Sequence, residues 1–278
     1  MAIEDVGACV EVFRAALDAL RVSLRLAPIA SRRLDGGVAH LLETDPCGSF
    51  VAREPSGAIV GFAQAARRDS LWILAHLFID PARQGAGIGR ALLACAHSYG
   101  ANCTAGLIAA TPTPPALRLY GQLPGFVLHP MLTAAGEVDH ARLSPSSLVR
   151  EANENDLELA AELGRSIRGG AHGPDLLYLV QQGGTLLVAD DRGYAVAAPA
   201  GPELVAATDP EAANALLVEC LRRTAPGTQA TVKRIGAGQP WAIETSLLAN
   251  LALRPWGPLV ARGTAAPTAA YLADSAFC

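Results

Sequence analysis

The chain has 278 residues, of which 51% are hydrophobic and 17% are charged, and its formal net charge is -4. This composition supplies ample apolar material for buried cores and argues against global disorder. The basic residues are scattered and form no long stripe of the kind that binds a phosphate backbone, so nucleic acid is not an expected partner.

Metal sites, leaders and membrane spans are also not expected. The six cysteines lie far apart and show no CxxC spacing, which argues against zinc. No uncharged apolar run reaches the roughly 20 residues that a spanning helix needs, and Met1-Ala-Ile-Glu-Asp does not resemble a leader. We therefore expect a soluble cytoplasmic protein with reduced thiols.

The first half of the chain alternates helical and strand-like patterns, separated by turn residues. The predicted elements are a helix over 6–26, a hairpin of strands over 49–53 and 59–64, a strand over 71–79, a helix over 89–100 and a strand over 105–110. The strand over 71–79 is almost continuously apolar, which is typical of a strand covered on both faces.

The pattern restarts after a polar, proline-bearing stretch at 142–147 that suits a linker. The predicted elements here are helices over 156–167 and 175–182, a hairpin around Arg192-Gly193, a strand over 204–208, a helix over 209–223 and a strand over 231–235. Because the order of elements resembles that of the first half, we predict two copies of one α/β unit. The predicted domains are 1–143 and 148–278.

The segment 77–93 is the most informative about function. A buried strand enters a glycine-rich turn and a helix leaves it, so unpaired backbone N–H groups and the positive end of a helix dipole converge. Such a spot binds phosphate or pyrophosphate. Gly85, Gly87 and Gly89 would let an anion approach the backbone closely.

The spacing of these glycines discriminates between phosphate-binding motifs. The dinucleotide motif GxGxxG fails because Arg90 replaces its third glycine, and GxxxxGK[ST] fails at Arg90-Ala91. The pattern that does match is Gln/Arg-x-x-Gly-x-Gly/Ala, at Gln84, Gly87 and Gly89. The alternative is a glycine-rich turn that binds no ligand.

With its flanks, this segment resembles the acetyl-CoA pyrophosphate loop of the GNAT N-acetyltransferase superfamily. The resemblance implies two GNAT-like α/β units, each a mixed, mostly antiparallel sheet flanked by helices, with acetyl-CoA bound by the first unit as cosubstrate. It also implies that main-chain groups of 77–79 hold the acetyl carbonyl and the pantetheine arm. The implied cofactor-binding residues are Leu77, Phe78, Ile79, Arg83, Gln84, Gly85, Ala86, Gly87, Ile88, Gly89, Arg90, Thr113 and Tyr120.

A second stretch, 113–126, resembles a later helix of the same family and the turn after it. Thr113 is the predicted cap of this helix and Pro114 its first residue. The resemblance implies that Tyr120 is the general acid that protonates the departing CoA thiolate. Two departures from the family pattern are Thr113 in place of an asparagine and Pro124 as an insertion. The alternative for Tyr120 is a buried aromatic residue on a helix.

A general base is harder to find in the sequence. His76 lies on the strand expected to carry the thioester, and imidazole suits proton transfer near neutrality. A lone histidine between apolar neighbours is nevertheless more often a hydrogen-bonded core residue. Glu43 and Asp45, acting through water, are the reserve candidates.

The second half has no glycine-rich turn at its corresponding strand-to-helix crossing. Asp209 is placed to cap the helix with its carboxylate, and Glu211 lies in the first turn. A pyrophosphate would therefore be repelled. This half resembles a degenerate GNAT repeat without a cofactor, as in tandem GNAT proteins.

The sequence thus predicts an N-acetyltransferase that transfers acetyl directly from acetyl-CoA to an amine-bearing substrate, expected to be a small molecule. The acceptor stays open. Two alternatives remain, which are a non-catalytic acyl-CoA-binding sensor and a structural tandem scaffold.

Overall fold

The computed structural model describes residues 1–25, 34–263 and 269–278. The chain divides into two compact units by its internal contacts. The first unit comprises 1–67 and 72–103, and the second comprises 68–71 and 104–278.

The first unit packs helices on a small sheet. Its elements are α1 (Val6–Leu24), α2 (Leu34–Thr44), β1 (Ser49–Arg53), β2 (Ile59–Arg68), β3 (Leu71–Ile79) and α3 (Ile88–Tyr99). Residues 68–71, which form the turn between β2 and β3 with the adjoining strand ends, belong to the second unit. Strands β1 and β2 pair antiparallel, with Ser49 opposite Gln64, and β3 follows β2 in the sheet. Helix α1 buries Cys9, Val10 and Val12 against Phe62 of β2.

The second unit contains the remaining elements and two groups of hydrogen-bonded strands. Its elements are β4 (Ala105–Ala109), α4 (Pro114–Tyr120), β5 (Val127–Glu137), β6 (Val149–Glu151), α5 (Asp156–Arg168), α6 (Pro174–Gln181), β7 (Thr185–Ala189), β8 (Gly193–Ala198), β9 (Gly201–Ala207), α7 (Pro210–Arg222), β10 (Gln229–Gly236), α8 (Pro240–Leu248), β11 (Ala252–Arg262) and β12 (Tyr271–Leu272). One group runs in the order β4-β11-β5-β10, and the other in the order β12-β9-β8-β7-β6.

The order of elements in the two halves is similar, as the sequence predicts. Two helices, three strands, a helix, a strand, a helix and a strand run from α1 to β5 and again from α5 to β11. Strand β11 nevertheless lies between β4 and β5, so the end of the second series completes strands of the first. The division into 1–143 and 148–278 stays a prediction.

Most predicted elements are confirmed, with bounds that differ by a few residues. The helix predicted over 6–26 ends at Leu24, and Leu26 lies outside the described residues. Four longer elements were not predicted: α2, β5, α8 and β11. Prolines explain the two strands, because Pro130 in β5 and Pro255 and Pro258 in β11 argue against a strand when only the sequence is read.

Among the described residues, no helix is long and apolar enough to cross a membrane. The same part of the chain holds no cluster of three or more His, Cys, Asp or Glu side chains that could bind a metal ion. The six cysteines are free thiols.

Candidate active site

The turn between β3 and α3 uses the conformational freedom of two of its glycines. Gly85 and Gly87 both have left-handed φ values, 87° and 83°, which favour glycine. Gly87 is the N-cap of α3. Before the glycines, Asp80 accepts a hydrogen bond from Ala82 N (2.9 Å), and the Gln84 side chain donates to Ile79 O (3.4 Å). The segment that leads from β3 into the glycines is thereby held by local hydrogen bonds.

The space in front of this turn is open. A Cβ atom added to Gly85 or Gly87 would have no heavy atom within 4 Å. The first hydrogen bond of α3 runs from Ala91 N to Gly87 O (3.1 Å). The N–H groups of Ile88, Gly89 and Arg90 therefore precede the helical ladder and are available to an anion. The geometry fits a pyrophosphate group that approaches the main chain.

One of the two arginines that flank the turn is engaged by a carboxylate. Arg83 Nε donates to Glu54 Oε1 (2.5 Å), at the start of the β1–β2 turn. This hydrogen bond raises the pKa of the Arg83 guanidinium. Glu54 therefore offsets part of the positive charge that the sequence assigns to the turn. Arg90 lies exposed in the first turn of α3.

The last residues of β3 are more accessible than the first. Leu71 to Leu74 are buried, whereas Leu77, Phe78 and Ile79 are half-buried. This is the segment whose main chain the family resemblance assigns to the pantetheine arm.

His76 is a buried, hydrogen-bonded residue on β3. Its side chain is 6% exposed, and Nδ1 lies 2.9 Å from Gln64 Oε1 on β2. The rings of Phe13, Phe62 and Phe78 surround it at centroid distances of 5.4, 5.9 and 5.9 Å. His76 therefore has the features of a hydrogen-bonded core histidine, which is the alternative that the sequence leaves open. Its role as a base stays a prediction.

Asp45, a reserve candidate for the base, is engaged as a structural acceptor. It is 2% exposed, and its Oδ1 accepts from Arg67 N (2.9 Å) and from the Tyr99 hydroxyl (3.0 Å). Thr44 Oγ1 donates to Oδ2 (2.9 Å). All three of these donors belong to the protein, so Asp45 ties α2 to neighbouring segments of the first unit. Glu43, the other reserve candidate, lies on α2.

Tyr120 is the last residue of α4 in the second unit, and it is 8% exposed. Burial raises the pKa of its hydroxyl above the usual range, so the phenol stays protonated at neutral pH. This protonation state is required of a general acid. It is also the state of an ordinary buried tyrosine, and the role of Tyr120 stays a prediction.

The start of α4 corrects one detail of the sequence analysis. Thr113 is at the N-cap position as predicted, but its side chain makes no capping hydrogen bond in the described structure. Pro114 and Pro115 occupy the first two helical positions, and a proline has no N–H to donate to a cap. Thr113 Oγ1 lies instead 3.4 Å from Thr111 Oγ1.

At the corresponding crossing in the second unit, a carboxylate occupies the start of α7. The predicted cap is confirmed, because Asp209 Oδ1 accepts from Glu211 N and Ala212 N, both at 3.0 Å. Arg192 donates to both oxygens of Asp209 and to Glu211. Its hydrogen bonds hold the pKa of Asp209 below the usual range. This helix start is therefore filled by groups of the chain itself.

Sequence reasoning missed two polar residues at the candidate site. Gln64 contacts His76, and Glu54 contacts Arg83. The signal for Gln64 was available, because it is the single strongly polar residue between Val60 and Ala66 in an apolar strand. Glu54 gave no signal, since acidic residues are common in turns.

Comparison with known proteins places the turn in a family. Residues 45–127 match the family described as acetyltransferase (GNAT) domain. A candidate acetyltransferase from Pyrococcus horikoshii is structurally similar over 99% of this chain and 92% of that chain, with 17% identity and a TM-score of 0.78. No curated protein matches the chain in sequence.

Two further structures resemble nearly the whole chain. One is a GCN5-related N-acetyltransferase from Sphaerobacter thermophilus, with 14% identity, 96% of this chain and 95% of that chain covered, and a TM-score of 0.57. The other is a tandem GNAT protein from the clavulanic acid biosynthesis pathway, with 15% identity, coverages of 95% and 96%, and a TM-score of 0.51.

The segment 45–127 therefore matches the GNAT acetyltransferase domain family, and this segment contains the loop from Gln84 to Gly89 that carries the resemblance. Over nearly its whole length the chain has the fold of GNAT proteins, including one of tandem type. The predicted fold class, mixed α/β with two GNAT-like units, is confirmed. At these identities the likeness defines the fold and leaves the acceptor open.

Proposed function

We propose that this protein is an N-acetyltransferase that binds acetyl-CoA at the turn between β3 and α3. The observation that carries the proposal is the open, left-handed glycine turn at the N-terminus of α3, within the segment that matches the GNAT domain. The acceptor is an amine-bearing substrate, and we propose a small molecule.

Each part of the cosubstrate has a counterpart in the chain. The N–H groups at the start of α3 bind the pyrophosphate, Arg90 adds positive charge, and the half-buried main chain of 77–79 pairs with the pantetheine arm. Acetyl-CoA supplies an activated acetyl group as a thioester, which an amine attacks directly. Metal ions have no assigned part in this scheme.

Two side chains are proposed to move protons. His76 takes a proton from the acceptor ammonium, which leaves a neutral amine as the nucleophile. Tyr120, whose raised pKa keeps it protonated, gives a proton to the departing thiolate. The role of Tyr120 rests on the family resemblance, and the role of His76 rests on its position on β3 and on the proton-transfer chemistry of imidazole.

Binding and turnover test the proposal separately. Calorimetry with acetyl-CoA measures the first, and release of CoA thiol with a panel of primary amines measures the second. We expect binding and acetylation of at least one amine. Binding without turnover across the panel favours a non-catalytic acyl-CoA sensor, and absence of binding favours a structural scaffold and contradicts the proposal.

Replacing Tyr120 by phenylalanine is expected to lower kcat by about 100-fold or more, because the leaving thiolate then lacks its proton donor. The affinity for acetyl-CoA is expected to stay within about two-fold of wild type. Steady-state kinetics and calorimetry check the two values. Tyr194, which is also fully buried, provides the control, because phenylalanine there removes a buried hydroxyl in the second unit that has no proposed role in catalysis. A Tyr120→Phe variant with unchanged kcat would contradict the role of general acid.

Replacing Glu54 by glutamine is expected to strengthen acetyl-CoA binding by about two- to five-fold. The change removes the carboxylate that pairs with Arg83 and so increases the positive charge beside the turn. The gain should shrink as salt is raised, because the pair is exposed and screened. Calorimetry at two ionic strengths measures it.

The control for Glu54 is Glu11→Gln, which removes the partner of Arg14 in an exposed ion pair on α1. It makes the same change of charge and should leave the affinity unchanged. If the two variants bind acetyl-CoA equally, Arg83 does not contribute to the site.

The second unit is expected to bind no CoA, since Asp209 occupies the start of α7. Calorimetric titration should therefore give one acetyl-CoA per chain. Two sites per chain would contradict the assignment of the second unit as a degenerate repeat.

A further inference from the structure

We infer that Gln64 is a positioning residue that holds His76 in the Nδ1–H tautomer, so that Nε2 is the ring nitrogen that accepts the proton of the acceptor ammonium. The tautomer follows from hydrogen bonds within the first unit. The proton transfer rests on the proposed function.

The orientation of the Gln64 amide is fixed by a main-chain carbonyl. Its Nε2 lies 3.0 Å from Val38 O on α2 and 3.1 Å from Ser49 Oγ on β1. A carbonyl oxygen can only accept, so the group that faces Val38 must be the NH2 group. The opposite rotamer would place two acceptor oxygens against each other.

The hydroxyl of Ser49 agrees with this orientation. Ser49 Oγ donates to Asp45 O (3.3 Å), which again can only accept. Its single proton is thereby used, and its oxygen accepts from Gln64 Nε2. Both branches of the network end on carbonyl oxygens, which removes the usual ambiguity of an amide side chain.

The remaining atom of the amide, Oε1, is therefore the one that faces His76. It lies 2.9 Å from Nδ1 and can only accept, so Nδ1 carries the proton. A neutral imidazole has a single N–H, and Nε2 then carries the lone pair. The geometry assigns the basic nitrogen without reference to any ligand.

All three side chains of this arrangement are buried. Gln64 is 0% exposed, Ser49 is 4% exposed and His76 is 6% exposed. The three phenyl rings pack around the imidazole in tilted or edge-on geometry. The chain thus provides a base of one defined tautomer, as a positioning partner does for catalytic histidines in general.

In the proposed step a proton moves from the acceptor ammonium to Nε2 of His76 and then to solvent. The N–H bond of the acceptor ammonium breaks and an Nε2–H bond forms, which gives a neutral amine and an imidazolium ion. The Nδ1–H bond to Gln64 Oε1 is kept throughout. The imidazolium then releases its Nε2 proton to solvent before the next turnover.

The charged and titratable groups of the elements around His76 are mostly engaged. Asp5 pairs with Arg53, the amino group of Met1 donates to Ser49 O, and Asp45 holds three donors. The others on these elements are Glu4, Cys9, Glu11, Arg14, Asp18, Arg21, His40, Glu43 and Arg67. A carboxylate introduced at residue 64 would therefore be a new charge in direct contact with the imidazole.

The tautomer is tested by long-range 1H–15N NMR of histidine-labelled protein, with His76 assigned from a His76→Gln variant. Wild type is expected to show a protonated Nδ1 and an unprotonated Nε2 in the neutral ring. Gln64→Met, which removes the acceptor, should lose this preference, and Gln64→Glu should keep it. An Nε2–H tautomer in wild type, or an unchanged tautomer in Gln64→Met, would overturn the inference.

The catalytic consequence is tested with an amine that the panel shows to be acetylated. Gln64→Met is expected to lower kcat by about 10-fold or more without changing the affinity for acetyl-CoA. In Gln64→Glu the negative charge stabilises the imidazolium, so the limb of the kcat/KM profile that depends on the base should move to higher pH. An unmoved limb in Gln64→Glu, or a wild-type profile in His76→Gln, would overturn the base role.

A matched control separates positioning from stability. Gln239 in the second unit is also buried (1% exposed), and its amide bonds Gly236 N and Tyr271 O. Gln239→Met should lower the Tm by about as much as Gln64→Met does. It should leave the tautomer of His76 and the pH profile of kcat/KM unchanged. If the wild-type protein does not bind acetyl-CoA, the proposed function is wrong. The NMR experiment tests the tautomer of His76 independently of that outcome.

Discussion

Replacing Gly87 by glutamate is expected to weaken acetyl-CoA binding by about 100-fold or more, which corresponds to roughly 3 kcal/mol of like-charge repulsion at a phosphate site. The carboxylate would project from the N-cap of α3, where the N–H groups of the first turn are available to an anion. Calorimetry with acetyl-CoA measures the effect.

The new side chain would meet no steric obstacle within the protein. A Cβ at Gly87 has no heavy atom within 4 Å, so packing is not disturbed. The backbone cost is the left-handed conformation at φ 83°, about 1–2 kcal/mol for a residue other than glycine. The loss of affinity should therefore come from charge and occupied space at the turn.

Gly183 offers a matched control for both the strain and the charge. It has φ 90°, no heavy atom within 4 Å of an added Cβ, and it lies in the second unit just after α6. Gly183→Glu should lose similar stability and keep the affinity for acetyl-CoA. Equal affinities in the two variants would show that the turn does not bind the cosubstrate.

Replacing Asp175 by alanine is expected to lower the free energy of unfolding by about 3–5 kcal/mol. Asp175 is 0% exposed and accepts two hydrogen bonds from Arg68, from Nε and from Nη2, both at 2.7 Å. Arg68 is itself only 7% exposed, so the change leaves a buried guanidinium without the carboxylate that neutralises it. Thermal unfolding should show a lower Tm by about 10 °C.

Two further variants make this prediction specific. The double variant Arg68→Leu/Asp175→Leu removes both charges and should be more stable than Asp175→Ala, since no isolated charge stays buried. Glu11→Ala breaks the exposed pair with Arg14 and should change stability by less than about 0.5 kcal/mol. If Asp175→Ala and Glu11→Ala have the same Tm, the buried ion pair contributes no more to the free energy of unfolding than the exposed pair does.

The ion pair also shows why the β2–β3 turn belongs to the second unit. Asp69 Oδ2 accepts from Ala171 N (2.8 Å), next to the bidentate contact between Arg68 and Asp175. A Cβ on Gly170 would collide with Arg68 O. The turn therefore packs closely against the connection between α5 and α6.

Features that depend only on neighbouring residues could be predicted from the amino-acid sequence. The glycines at 85 and 87 predict a turn that an anion can approach closely, a proline at 114 predicts a helix start, and Asp209 predicts a helix cap. Each of these outcomes is decided within a few residues, by allowed φ angles or by a side chain that reaches its own helix. The family of the segment 45–127 follows from the same local pattern.

Strand β11 shows where local reading fails. Pro255, Gly257 and Pro258 argue against a strand, because proline donates no hydrogen bond to a neighbour. In the fold the pairing with β5 shifts register between Trp256 and Leu259, so Pro258 falls at an irregularity, whereas Pro255 lies opposite Leu132 in the regular ladder. Ala110 N then donates to Pro258 O (3.0 Å), and the absence of a side chain at Gly257 allows this close approach.

The pairing of the polar groups depends on long-range packing. Arg83 and Glu54 are 29 residues apart, Gln64 and His76 are 12 apart, and Arg68 and Asp175 are 107 apart. Local propensity carries no information about such partners, because they meet only after strands and helices pack. A buried donor or acceptor must nevertheless be satisfied. The sequence therefore fixed which polar groups require partners, and packing of distant elements selected the partners.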